Sequence, residues 1–180
     1  DFDDSEVRQL LPGLAYTLPP KPARPDFLQT SAAAIVAAAC EKELPVAQAL
    51  GKTVAGVGPV VVREATCRAL GETPALACDL TAEEKARLAA AIDELKEEHA
   101  RGGIPTAVRL PQPDGVPKPV EFSFFVPQQY GSAAILTQYP SYSEMLEDYY
   151  ATKDRAERLR QKSRELYKAV HNMYDRAVRK

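Results

Sequence analysis

Leu50-Gly51-Lys52-Thr53-Val54-Ala55-Gly56-Val57-Gly58-Pro59-Val60-Val61-Val62-Arg63-Glu64 sets a Gly-x-Gly-Pro pivot between two apolar runs of helical character. Gly56 and Gly58 can take φ > 0 or let another backbone come close. Pro59 suits the first position of the following helix, where its missing N–H is not needed. The amides of Gly58, Val60 and Val61 then face outward at the positive end of a helix dipole, where a phosphate can be held. Lys52 and Arg63 flank them.

This spacing resembles the helix-hairpin-helix module, which grips nucleic-acid backbones through such amides without reading sequence. A plain helical hairpin, whose glycines only permit close packing, is the alternative reading of the same residues.

Working outward, Ser31 to Lys42, Pro45 to Gly51, Pro59 to Leu70 and Thr81 to Ala100 read as helices. Thr81 with Glu84 forms a capping-box start, and Leu80, Leu88, Ile92 and Leu95 supply an apolar face. A helix-hairpin-helix module is therefore expected over residues 32–101. Upstream, residues 1–31 form a Pro-rich connector with a turn at Leu11-Pro12-Gly13 and an extended or polyproline-II course around Pro19, Pro20, Pro22 and Pro25. Gly102-Gly103 breaks the helical pattern. Thr106 to Leu110, Val120 to Val126 and Ala133 to Tyr139 then read as strands, giving a β segment over residues 102–140. Three strands make a poor domain alone. They are expected to finish a sheet whose other strands lie upstream of Asp1, with the helical module inserted into that lobe.

Ser141-Tyr142-Ser143-Glu144 is a second capping-box start with neither Pro nor Gly after it, which predicts one helix over residues 141–180. Tyr149, Thr152, Ala156, Leu159, Ser163, Leu166, Val170, Met173 and Ala177 recur at spacings of three and four, a coiled-coil seam. With Tyr149 at position a, Lys153 and Arg160 fall at e and Arg155, Lys162 and Arg176 at g. Self-pairing sets like charges together, so a helix with acidic or neutral flanks is the expected partner. The fold class is thus α+β and mainly helical, with a long C-terminal coiled-coil helix.

The 180 residues, 45% hydrophobic and 27% charged with a net charge of −2, describe an ordinary soluble protein without a global pull towards polyanions. Charge is instead segregated. Asp79 to Arg101 is acidic, whereas Ala151 to Lys180 is basic. Cys40, Cys67 and Cys78 form no Cys-x-x-Cys pair, and His99 and His171 lie apart, so neither a metal site nor a disulfide framework is expected. No apolar run approaches the roughly 20 residues that span a bilayer. With no signal peptide visible, a cytoplasmic location is expected. The chain opens at Asp1 and stops within a helical pattern, as an excised fragment would.

Leu10-Leu11-Pro12-Gly13-Leu14-Ala15-Tyr16-Thr17-Leu18-Pro19-Pro20, the glycine hairpin with Arg63-Glu64 and Arg68-Ala69, and Tyr139-Pro140-Ser141-Tyr142-Ser143-Glu144-Met145-Leu146 through Tyr149-Tyr150, Lys153-Asp154 and Arg158 to Lys162 occur in one order. That series resembles the NFACT family, the bacterial RqcH or FbpA proteins, also called fibronectin-binding proteins, with NEMF as eukaryotic relative. The resemblance implies a ribosome-quality-control factor. Such a factor binds the obstructed large ribosomal subunit and tRNA, and extends the stalled chain with alanine. It also implies that the piece holds the second part of the N-terminal lobe, the hairpin insert and the first arm of an antiparallel coiled coil. The Asp-Arg pair of tRNA recruitment belongs to an earlier part of the lobe; Asp154-Arg155 does not inherit that role.

No nucleophile-base pair, phosphate loop or metal cluster stands out, so no enzyme activity and no cofactor are expected. Glu94, Glu98 and His99 read as an exposed charged helix end. The expected nucleic-acid-binding residues are Lys52, Gly56, Gly58, Val60, Val61 and Arg63 at the hairpin, and Arg155, Arg158, Lys162 and Arg176 along the helix. The expected partners are the large ribosomal subunit and tRNA, and a coiled-coil helix from the remainder of the same chain. A fibronectin-binding adhesin of the bacterial surface is the alternative.

Overall fold

The computed structural model describes residues 23–71, 75–113 and 115–178, with residues 4–5, 8–9, 12–16 and 18. Two short strands, β1 (Asp4–Ser5) and β2 (Arg8–Gln9), pair antiparallel where only an extended course was expected. This stretch precedes the first proline, so its amides are free to pair. Gly13 takes φ 88°, as the Pro-Gly turn requires. Thr17, Pro19, Pro20 and Pro22 lie outside the described residues.

Four helices follow: α1 (Ala32–Cys40), α2 (Val46–Thr53), α3 (Pro59–Leu70) and α4 (Ala82–Ala100), with a single 3₁₀ turn at Ala77–Asp79. Ser31 caps α1 by accepting from the Ala34 amide. Thr81 and Glu84 close the capping box on α4. The apolar faces meet in one core that includes Ile35, Val36, Leu50, Val61, Val62, Leu88, Ile92 and Leu95. The start and finish of this helical unit are held together. Lys96 donates through Nζ to the Thr30 carbonyl and lies 5.3 Å over the Phe27 ring.

After Gly102-Gly103, the strands β3 (Thr106–Leu110), β4 (Lys118–Ser123) and β5 (Ile135–Gln138) form an antiparallel sheet in the order β4-β3-β5. The register opposes Val108 to Glu121 and to Leu136, with a bulge between Val108 and Arg109 on the β4 side. Beyond β4 the chain turns so that Phe125 enters the helical core. The last element is α5 (Tyr142–Val178), a helix of 37 residues. Its first turns pack on β4 and β3 and bury Met145 and Tyr149. From Lys153 to Tyr174 it is exposed on every side, the seam residues Leu159, Leu166 and Met173 included.

Gly103 sits where these parts meet. Its φ is +66°, and a Cβ there would stand 2.3 Å from the Phe124 carbonyl oxygen and 2.6 Å from the Tyr142 hydroxyl. Only hydrogen fits.

Candidate nucleic-acid interface

The pivot forms between α2 and α3, but its two glycines have different reasons to be there. Gly56 takes φ 79°, the left-handed region that side chains avoid. Gly58 has φ −84° and ψ 164°, ordinary extended backbone, and a Cβ on it would meet nothing within 4 Å. Gly58 is the N-cap of α3, without a side-chain cap, and Pro59 opens the helix. The Val61 amide donates to the Gly58 carbonyl at 3.1 Å. The expected cradle of three amides therefore reduces to Gly58 and Val60, which make no hydrogen bond among the described residues.

A carboxylate borders this pivot. The segment ahead of α1 runs alongside it through Phe27 N–H to the Ala55 carbonyl and Ala55 N–H to the Pro25 carbonyl, both 2.9 Å. Asp26 spends Oδ1 on the Leu28 and Gln29 amides at 2.8 and 3.1 Å. Its Oδ2 lies 3.0 Å from where a Gly56 Cβ would stand. The carboxylate makes the Gly56 side of the pivot unfavourable for an anion, while the Gly58 and Val60 amides lie on the side away from Gly56 along the chain. Lys52, in the last turn of α2, is exposed.

Arg63 is committed elsewhere. Its Nε donates to Gln129 Oε1 at 3.0 Å, and Gln129 in turn donates through Nε2 to the Val60 carbonyl at 2.9 Å. The guanidinium also lies 3.5 Å from the Tyr130 hydroxyl and 3.7 Å from Glu121. Arg63 braces α3 against the loop after β4, with part of its surface still open to solvent.

Next to it is a buried charged cluster that sequence reasoning missed. Glu64 is fully buried, and its two oxygens accept from the Gln128 amide at 3.0 Å each, from the Gln129 amide at 3.2 Å and from Arg68 Nε at 3.0 Å. Arg68 also donates to Glu98 at 2.6 Å. Burial alone would lower the Arg68 pKa; the bonds and charges of Glu98 and Glu64 outweigh it and hold the guanidinium above the ordinary arginine value. Glu98 is thus no idle member of an exposed helix end, and His99 packs edge-on against Phe124 at 5.4 Å. A signal was present: Val61, Glu64, Ala65 and Arg68 share one helix face at spacings of three and four, which sets an acid-base pair on a core-facing stripe.

Along α5, Arg155, Arg158 and Lys162 are exposed, and Arg176 lies in the last turn. They belong to a different element from the hairpin cations. What fixes their direction is a clamp at the foot of the helix. Arg109 on β3 donates to Thr137 at 2.9 Å, to the Tyr139 hydroxyl at 3.0 Å and to Asp148, which also accepts from Tyr139. The Tyr139 hydroxyl bond, with Arg109 beside it, holds the Asp148 carboxyl below its ordinary pKa.

These features define a mainly helical α+β protein: a hairpin module braced on a sheet, and a long helix clamped at its foot that carries exposed cations. The family model described as NFACT N-terminal and middle domains matches residues 1–180. The chain belongs to the NFACT family. No curated protein matches it. Among the described residues, no helix is long and apolar enough to cross a membrane.

Proposed function

We propose that this chain is an RNA- and ribosome-binding part of a cytoplasmic ribosome-quality-control factor. It contacts the obstructed large subunit and tRNA in support of C-terminal alanine tailing, and performs no chemistry of its own. The observation that carries this reading is the family match along the whole chain. Two features of the geometry support it: the unpaired amides of Gly58 and Val60 at the head of α3, with Lys52 exposed in the last turn of α2, and the exposed basic residues Arg155, Arg158 and Lys162 of α5, a helix that also carries Arg176. Both are backbone-directed and sequence-independent.

Binding to structured tRNA or rRNA should be weak, show little base preference and fall steeply with salt. The test is a titration against tRNA and against fibronectin at several salt concentrations. Lys52→Glu and Arg158→Glu should each lower RNA affinity and flatten the salt slope. Salt-insensitive fibronectin binding with no detectable RNA affinity would overturn the proposal in favour of an adhesin.

A further inference from the structure

Where α5 leaves the sheet, three aromatic rings gather. Phe122 of β4 packs edge-on against Tyr149 with centroids 5.0 Å apart and against Tyr150 at 6.1 Å, and the two tyrosines meet at 5.3 Å. Tyr149 is buried and anchors the helix. Tyr150, by contrast, leaves 50% of its surface exposed. Lys153 lies one turn on, with Nζ 6.0 Å over the Tyr149 ring.

The helix continues this pattern. At about 100° per residue, the arc of α5 from the direction of Tyr149 round to that of Tyr150 carries Lys153, Glu157, Arg160, Arg164 and Lys168. That is four cations against one acid, all exposed, over about 27 Å of helix from position 150 to 168. The apolar seam through Leu159 and Leu166 runs beside this arc, with Lys153 and Arg160 at its flanking e positions. A helix paired along the seam would leave Arg164 and Lys168 open.

We infer that the foot of α5 is a stacking site for an unpaired nucleotide of RNA, received on Tyr150 beside Phe122, with the strand's phosphates running up the arc of Lys153, Arg160, Arg164 and Lys168. The chemistry is that of single-strand binders, in which an exposed ring accepts any base face and neighbouring cations follow the backbone. A duplex keeps its bases stacked internally and gains only the electrostatic part. This inference rests on the RNA-binding reading above and adds what form of RNA the arm selects.

The test measures binding of the 180-residue chain to a labelled single-stranded RNA and to a duplex of equal length at one salt concentration. Tyr150→Ala should weaken single-strand binding about tenfold, the scale of one lost base stack, with duplex affinity unchanged. Tyr150→Phe should restore single-strand binding. Lys153→Gln should weaken both forms and lower the salt slope. If Tyr150→Ala also lowers the melting temperature, Tyr150→Leu decides, since it keeps an apolar contact with Phe122 but offers no ring face; it should lose single-strand affinity while melting as the parent does. Equal losses for both forms, or none for either while the parent binds RNA, would remove the stacking site and leave the RNA-binding reading standing. Failure of the parent chain to bind either form would remove both.

Discussion

Replacing Glu64 by Gln changes one atom of a fully buried side chain and should be among the most damaging isosteric substitutions in the protein. The carboxylate accepts on both oxygens, from two loop amides and from Arg68. Glutamine has one acceptor oxygen, and its NH₂ must then face either the loop amides or the Arg68 Nε, donor against donor. Removing one partner of a buried ion pair costs about 3–5 kcal/mol. Arg68 retains Glu98 at 2.6 Å, which offsets part of that, so a loss of about 2–4 kcal/mol is expected. For a chain of this size each kcal/mol moves the melting temperature by about 2–4 °C, and the midpoint should fall by roughly 5–15 °C. Urea and thermal unfolding followed by far-UV circular dichroism and tyrosine emission would measure it. Glu97→Gln is the control, because Glu97 pairs with Arg101 at the surface and its loss should stay within about 0.5 kcal/mol. A cost below about 1 kcal/mol for Glu64→Gln would refute the view that this cluster holds α3 to the loop after β4.

The two pivot glycines should respond differently: Gly56→Ala meets both a positive φ and the Asp26 carboxylate and should cost about 1–3 kcal/mol, whereas Gly58→Ala should melt within about 0.5 kcal/mol of the parent. Equal effects would mean that the turn is not built as described. The clamp at the foot of α5 predicts a pH signature. Because Asp148 is held below its ordinary pKa of 3.8, its contribution is fully present above that value and is lost as pH falls through the lower, folded-state pKa. Asp148→Asn should therefore be less stable than the parent at neutral pH, with the gap closing in strong acid; denaturant titrations across that range would show a constant gap if the clamp contributes nothing.

Much of the fold could be read from local chemistry. Thr81 with Glu84 makes the full capping box its spacing implied, whereas Ser141 with Glu144 makes one half of it, the Glu144 amide donating to Ser141 at 3.2 Å. Both helices begin within a residue of the expected place, and β3 has the expected bounds, Thr106 to Leu110. What could not be read was the partner of each charge. Arg63 finds Gln129, and Glu64 finds Gln128, across separations of 66 and 64 residues; spacing along the chain carries no information at that range. Nor does composition reveal the sign of φ. Gly56 and Gly58 look alike in sequence, and only the path of the Pro25 to Phe27 segment past Ala55 makes one of them obligatory.

The contact between Lys96 and Thr30 closes a circuit of 66 residues. By loop-closure arithmetic this costs the rest of the chain about 3.7 kcal/mol of entropy, and doubling the circuit would add only about 0.6. Seen from the sheet, the hairpin module is therefore a pendant whose content hardly matters to the route of the backbone; another closed unit of similar end spacing could hang in its place. What ties this pendant to the sheet and the loop after β4 is a set of trans-contacts: Phe125 in its core, Glu121, Gln129 and Tyr130 on Arg63, Gln129 on the Val60 carbonyl, Phe124 on His99 and the two loop amides on Glu64. Grafts or chimaeras of the helical unit should therefore keep their stability only where those pairs are carried across together.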